Sequence, residues 1–287
     1  MNKPLTQGFS GFLRRRRVQR HFQRRPLLAT DGAIGHLKDF YFDDDAWVVR
    51  YFVVDAGSWL VSRMVLISPV AVRHPKGVDG TLSVSITKEQ VKNSPDIDTD
   101  KPVSRQHEEQ YLSYYGYPYY WGGLGMWGEG LYPYATFPGY AGYGTDRVER
   151  EREEAAHLRA ERARHRNDNP HLRSCNAVVG YHLHATDGDI GHVAGFLVDD
   201  ETWAIRYLIV DTSNWWLGHQ VLVAPQWITG VHWSDQTVSV DLSRDSINGA
   251  PRYDPTVTWS RAHDSSLYEH YRRTGFWAGN TRLETEI

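Results

Sequence analysis

The sequence predicts a mainly β protein, built as two small β-barrels in tandem with appended helices and a charged linker helix. Two observations carry that expectation. The 287-residue chain repeats itself: Thr30-Asp31-Gly32-Ala33-Ile34-Gly35-His36 returns, without a gap, as Thr186-Asp187-Gly188-Asp189-Ile190-Gly191-His192. Between residues 30 and 98, 24 positions are identical at an offset of 156, which makes the repeat the unit of architecture. Within each repeat, short runs of β-branched and aromatic residues alternate with Gly, Asp and Pro turn signals. A sheet this small removes its edges by closing on itself, which favours a barrel.

The elements follow in order. Residues 1–25 are a basic arm, expected to be disordered. Residues 1–29 hold eight basic residues and no acid, so the rest of the chain stands at −11 within a net charge of −3. Residues 26–98 form the first barrel. Its Thr30-Asp31-Gly32 is a hairpin turn, since Asp-Gly accepts the positive φ such a turn needs. Ile34 to Phe42 reads as strand, Asp43-Asp44-Asp45 as the next turn, and Trp47 to Asp55 as the clearest strand in the chain. That strand is apolar on both faces with one arginine, Arg50, set into it, as Arg206 is in the second repeat. It is therefore expected to be covered on both sides, with Trp47, Tyr51, Trp203 and Tyr207 in the core. Val65-Leu66-Ile67 and Val221-Leu222-Val223 are short strands closed by Pro69 and Pro225. Thr87-Lys88-Glu89-Gln90 is a capping box that opens a short helix, and Ser243 to Ser246 keeps the cap without the box. A helix is appended over residues 99–115.

Residues 116–145 are a Tyr/Gly-rich linker; 13 aromatics and eight glycines fall between 111 and 143. Such chain reads as a flexible linker and the first site of proteolysis, with a docked aromatic segment as the alternative. Residues 146–168 are a charged spacer helix, with seven arginines against six acids between 146 and 166. Residues 174–254 form the second barrel. It opens on Val178 to Leu183, a better strand than Arg20 to Leu27 in the first. A last helix covers 257–275.

These residues resemble a known family. The T-D-G-x-I-G-H, D-D-x-x-W-x-x-R-Y, V-D-x-x-x-W and V-L-[IV]-x-P patterns, with Pro102-Val103-Ser104-Arg105-Gln106-His107-Glu108, are similar to those of the PRC-barrel family. The resemblance covers residues 26–115 and 174–275. It implies two small, highly curved barrels of the kind found in the cytoplasmic domain of the photosynthetic reaction-centre H subunit and in a ribosome-maturation factor. A shared scaffold does not set the function.

Candidate chemistry is sparse. His36 and His192, like His107 and His263, recur by duplication, and no histidine pair has metal spacing. Cys175, the one cysteine, has no base beside it in sequence. Asp43, Asp44 and Asp45 suit a turn better than a cation site. Arg50 and Arg206 are expected to pair with Asp55 and Asp211 or with a turn aspartate, because an unpaired charge in a covered strand is costly. Arg14, Arg15, Arg16 and Arg17 could tether the chain to nucleic acid or to an anionic membrane surface. No cofactor and no metal is expected. With no apolar run long enough to span a bilayer and no secretory h-region, the chain is expected in the cytoplasm, the arm offering peripheral attachment to the inner membrane.

The expected function is a non-enzymatic binding or scaffold protein with a protein partner. The alternative is an H-subunit-like protein acting beside a photosynthetic reaction centre in light-driven electron transport, without its own anchor.

Overall fold

Each repeat folds into one mixed sheet. The computed structural model describes residues 16–18, 25–60, 63–73, 81–95, 103–121, 126–128, 132–133, 172–212, 218–257 and 259–276. The first repeat contributes β2 (Pro26–Ala29), β3 (Gly32–Asp43), β4 (Val48–Asp55), β5 (Met64–Ile67) and β6 (Leu82–Ser83), in the order β5-β4-β3-β2-β6. The second contributes β8 (His182–Ala185), β9 (Gly188–Asp199), β10 (Ile205–Asp211), β11 (Gln220–Val223), β12 (Ile228–His232) and β13 (Thr237–Val240), in the order β11-β10-β9-β8-β13-β12. Pairings are antiparallel except β2 with β6 and β8 with β13. The protein is thus mainly β, with one sheet per repeat. Among the described residues neither hydrogen-bonded path closes on itself. Among the described residues five α-helices accompany the sheets: α1 (Lys88–Lys92), α2 (Arg105–Tyr115), α3 (Cys175–Val178), α4 (Arg244–Asn248) and α5 (Arg261–His270).

The repeated motif has local causes. Gly32 and Gly188 take φ of 141° and 127° in the hairpin turn, a region L side chains avoid. The preceding aspartates also reach across the sheet. Asp31 Oδ1 accepts from Lys88 N and Asp187 Oδ1 from Arg244 N, each at 2.8 Å, which ties the turn to the first turn of α1 or α4. Thr87 forms its capping box with Gln90, and Ser243 keeps only the cap. The second glycine of the motif answers to close approach: a Cβ on Gly35 would lie 1.9 Å from Asp55 O, and one on Gly191 2.1 Å from Asp211 O. No larger residue lets the end of β4 or β10 pack there.

Two further strands join the repeats. β1 (Arg16–Val18) precedes the first repeat but pairs with β9 of the second, Arg16 opposite Asp199 and Val18 opposite Leu197. β7 (Leu172–Ser174) precedes the second repeat and pairs with β3 of the first, Leu172 opposite Asp43 and Ser174 opposite Tyr41. Both registers match at the offset of 156. The strand that precedes each repeat therefore pairs with the other, as partners do in a twofold-symmetric exchange. The exchange covers the stretch of β3 that β2 leaves unpaired, and the matching stretch of β9, so an exposed edge is avoided. Val48 and Ala204, themselves equivalent, form an antiparallel bridge at the centre. There Ile205 N donates to Trp47 O at 2.7 Å and Val49 N to Trp203 O at 2.9 Å. Trp203 packs into the aromatic core of the first repeat, 4.7 Å from Phe52 and 6.2 Å from Phe40, and Phe42 meets Phe196 at 5.8 Å.

Several expectations change. Arg16 to Val18 is a paired strand rather than disordered arm, because β9 supplies an open edge. The opening strand of the first repeat exists at Pro26–Ala29, and in the second repeat the strand begins at His182, after the single helical turn α3. Tyr51, Tyr207 and Trp203 are core residues, but Trp47 is only half-buried. Trp47 and Trp203 precede their strands with φ of 53° and 60°, left-handed turn positions that turn both carbonyls toward the other repeat. The Tyr/Gly segment is docked where it is described: Tyr117, Tyr120 and Trp127 are buried, and Trp127 Nε1 donates to Thr202 O of the second repeat at 2.9 Å. At these residues the docked alternative, rather than a flexible linker, describes the segment. The charged helix over 146–168 lies outside the described residues.

Two outcomes are expected. Gly191→Ala should destabilise by about 3 kcal/mol or more, the upper end of overpacking costs, while Gly195→Ala on the same strand stays within about 1 kcal/mol. Gly195 meets nothing nearer than Ile209 Cδ1 at 3.8 Å. Equal urea midpoints for the two variants would contradict the close-approach reading. Deleting residues 1–24 removes β1 and should lower the melting temperature of the second repeat, read by calorimetry; an unchanged transition would show that the exchanged strand is dispensable.

Candidate functional site

The D-D-x-x-W-x-x-R-Y stretch builds one charged node per repeat. A register shift between β3 and β4 sets Val49 and Tyr51 opposite Phe42 and Tyr41, leaving Arg50 as the extra residue of a β-bulge. The same shift between β9 and β10 singles out Arg206. Bulges re-aim a side chain, and here both arginines turn to the aspartate that ends the neighbouring strand. Asp43 Oδ1 accepts the turn amides of Asp45 and Ala46, both at 3.1 Å, and its Oδ2 takes Arg50 Nη2 at 3.1 Å. Asp199 accepts from Glu201 N and Thr202 N at 3.1 Å and from Arg206 at 3.3 Å. One carboxylate thus shapes the turn that carries Trp47 or Trp203 and also neutralises the buried guanidinium.

Of the two expected kinds of ion pair, the turn-aspartate form is present. Asp55 lies instead 3.5 Å from Lys38 Nζ and accepts from Gly57 N at 2.9 Å. Asp211 ends β10 and pairs in register with His192 and Gln220. Geometry explains the difference: alternation along the strand sends Arg50 and Asp55 to opposite faces, whereas the bulge turns Arg50 toward Asp43.

Above each arginine sits an aromatic ring from the end of the repeat. Tyr120 covers Arg50 at 3.9 Å with Trp127 at 5.0 Å, and Met126 O accepts from Arg50 Nη1. Phe276, equivalent to Tyr120, covers Arg206 at 4.6 Å. Beneath lies a second buried acid, Glu108 in the first repeat and Asp264 in the second. Tyr51 Oη donates to Glu108 Oε1 at 3.3 Å, Tyr120 Oη donates to the same oxygen, and Arg105 Nη1 lies 3.1 Å from Oε2. Tyr207 Oη donates to Asp264 Oδ1 at 2.6 Å and Trp259 Nε1 at 2.9 Å. Burial pushes Glu108 up to about 7, against the opposing pull of Arg105 and the Tyr120 hydrogen bond.

The other candidates occupy structural places. His107 meets the Ser104 hydroxyl at 3.2 Å and His263 the Ser260 hydroxyl at 2.8 Å, each at the start of its helix. His36 is exposed and His192 half-buried. Cys175 is buried, and burial pushes its thiol well up, which suppresses the reactive thiolate. Asp43, Asp44 and Asp45 lie close enough to share an ion, yet Asp43 faces Arg50 and Asp44 faces Arg173 at 2.8 Å. Arg14 and Arg15 lie outside the described residues, while Arg16 and Arg17 belong to β1.

Sequence reasoning missed Glu108, Asp264, Tyr120 and Phe276. The signal existed: Glu108 falls opposite Asp264 at the offset of 156, an exchange of acids that a count of identities does not score. The repeat also runs on, with Trp121 opposite Trp277 and Gly123 opposite Gly279. Comparison with models of known protein families, and with curated proteins, finds nothing that matches this chain.

The buried Glu108 makes folding stability depend on pH. The folded state keeps a proton on Glu108 that the unfolded chain has already released, so stability falls as pH rises from the ordinary carboxylate range to about 7. Glu108→Gln should flatten the fall in unfolding free energy between pH 5 and 7.5 by on the order of 2 kcal/mol. An identical slope in wild type and variant would place the titration elsewhere.

Proposed function

We propose that this chain is a non-enzymatic binding or scaffold protein made of two PRC-type barrels joined through exchanged strands. The observation that carries the reading is where the motif's charges go. Asp43 with Arg50, Asp199 with Arg206, Glu108 with Tyr51, and Asp264 with Tyr207 satisfy one another inside the fold. Catalytic groups need to meet a substrate in a cleft. These groups instead set turns, cover guanidinia and join repeats, so the motif is accounted for as architecture. The barrel assignment rests on the motif resemblance and on short strands in highly bulged sheets.

The partner is a protein, reached in the cytoplasm. No helix among the described residues is long and apolar enough to cross a membrane. Attachment beside a photosynthetic reaction centre, in the manner of an H subunit, is the alternative, and it rests on the resemblance. Arg14 and Arg15 remain the arm's candidates for an anionic surface.

Affinity capture of the tagged chain from its source cells, with mass spectrometry, tests the reading. Enrichment of a defined protein partner is expected. Reaction-centre subunits would select the alternative, and a turnover that survives purification to homogeneity would overturn both. Arg14→Glu with Arg15→Glu should weaken any binding to anionic vesicles, and that binding should fall steeply with salt. Vesicle binding that ignores both changes rejects the tether.

A further inference from the structure

Duplication made most of this molecule in pairs, but one cavity has no counterpart in residue type. It measures about 530 Å³ and lies where β7 and α3 of the second repeat cross β3 and β4 of the first. Its volume is that of a small-molecule site. Arg173 recurs as Arg17, and its partner Asp44 as Asp200, but residues around that pair differ at the equivalent positions. Lys38 faces Ala194, Asp39 faces Gly195, Met64 faces Gln220, and Trp233 faces Gly77 at the offset of 156. A joint that only held the repeats together would have no need of this divergence.

The lining is mostly apolar and aromatic, with Tyr41, Val53, Val178, Tyr181 and Trp233 among it, and includes the polar Lys38, Asp39, Arg173 and Ser174. Tyr181 and Trp233 stand edge to face with centroids 6.2 Å apart. Arg173 is held rigid beside them. Its Nε donates to Asp44 Oδ2 at 2.8 Å, and its guanidinium lies 4.1 Å from the Trp233 ring. Among the described residues its two Nη groups have no partner, and two parallel N–H donors match a carboxylate. Lys38 adds a second cation, 3.5 Å from Asp55 outside the cavity lining. The one acid in the lining is already engaged. Asp39 takes Ser174 Oγ at 2.5 Å on one oxygen, and Phe40 N at 2.7 Å and Asn176 N at 3.1 Å on the other. It clamps α3 rather than facing a ligand, and burial raises it to about 6.

We propose that this cavity binds a small planar carboxylate, an aromatic acid whose ring lies against Tyr41, Tyr181 and Trp233 and whose carboxylate is taken by Arg173. The ring recovers apolar burial and edge-to-face contact, and the guanidinium fixes its orientation. The cavity lies at the joint, but the inference does not rest on the scaffold reading, which concerns a protein partner.

The test uses the full chain and two probes, 2-naphthoate and indole-3-acetate, with the neutral 2-naphthamide as control, by isothermal titration calorimetry. Saturable one-site binding of at least one acid is expected, with the amide roughly tenfold weaker or more, the size of a lost charge-assisted pair. Arg173→Gln should weaken the acid by a similar factor. Because Arg173 also pairs with Asp44, a second variant guards the result. Ala177→Glu places a negative charge on the exposed lip of the cavity. It should weaken the acid roughly tenfold while leaving the melting temperature in place. No saturable heat below roughly 1 mM for either acid, or equal affinity for acid and amide, overturns the proposal. So does binding that neither variant alters.

Discussion

The constraint on which the rest depends is the free edge of one long strand in each repeat. β3 runs for 12 residues, yet β2 pairs only with its first part. Its last part, Tyr41 to Asp43, would present unpaired amides and carbonyls, and β9 has the same exposure from Leu197 to Asp199. β7 and β1 cover these edges from the opposite repeat. Once the strands are exchanged, much else follows. Asp43 and Asp199, the last residues of the long strands, are fixed at the joint, and the turns they cap point Trp47 O and Trp203 O at the partner repeat's amides.

The two buried arginines make sense in that setting. A guanidinium inside a covered strand is expensive unless its donors are met. The bulge aims it at the strand-end aspartate, and a ring contributed from the end of the repeat seals it. Tyr120 does this for Arg50 and Phe276 for Arg206, so the aromatic segment after α2 serves the same purpose as the chain after α5. This accounts for part of the aromatic richness between the repeats without requiring the segment to be a free adhesive. Trp127 goes further and hydrogen-bonds the turn of the second repeat.

Much of the fold was legible in the sequence because duplication prints each signal twice. The Asp-Gly turns, the Thr87 capping box and the doubly covered strand containing Arg50 are local patterns, and local patterns survive into structure. The placement of Trp47 was not legible, since alternation suggested a strand residue where a left-handed turn residue stands. A bulge also broke the alternation that would have separated Arg50 from its true partner. The strand exchange could not be read at all: Arg16-Arg17-Val18 and Leu172-Arg173-Ser174 share few features, and only an open edge elsewhere in the chain makes them strands. Glu108 and Asp264 were missed because a Glu–Asp exchange hides from a count of identities.

The cavity at the β7 crossing shows how a symmetric joint can acquire an asymmetric use. The strand pairing is shared by both crossings, while Lys38, Asp39 and Trp233 mark one of them.

Amide hydrogen exchange at Val49 and Ile205 tests the joining of the repeats most directly. These two N–H groups donate across the joint, to Trp203 O and Trp47 O. Slow exchange at both, at the rate of interior β4 amides such as Val53, is expected if the exchanged, bridged arrangement is the state in solution. Rapid exchange at Val49 and Ile205 while Val53 stays protected would mean two independent repeats, and would contradict the account.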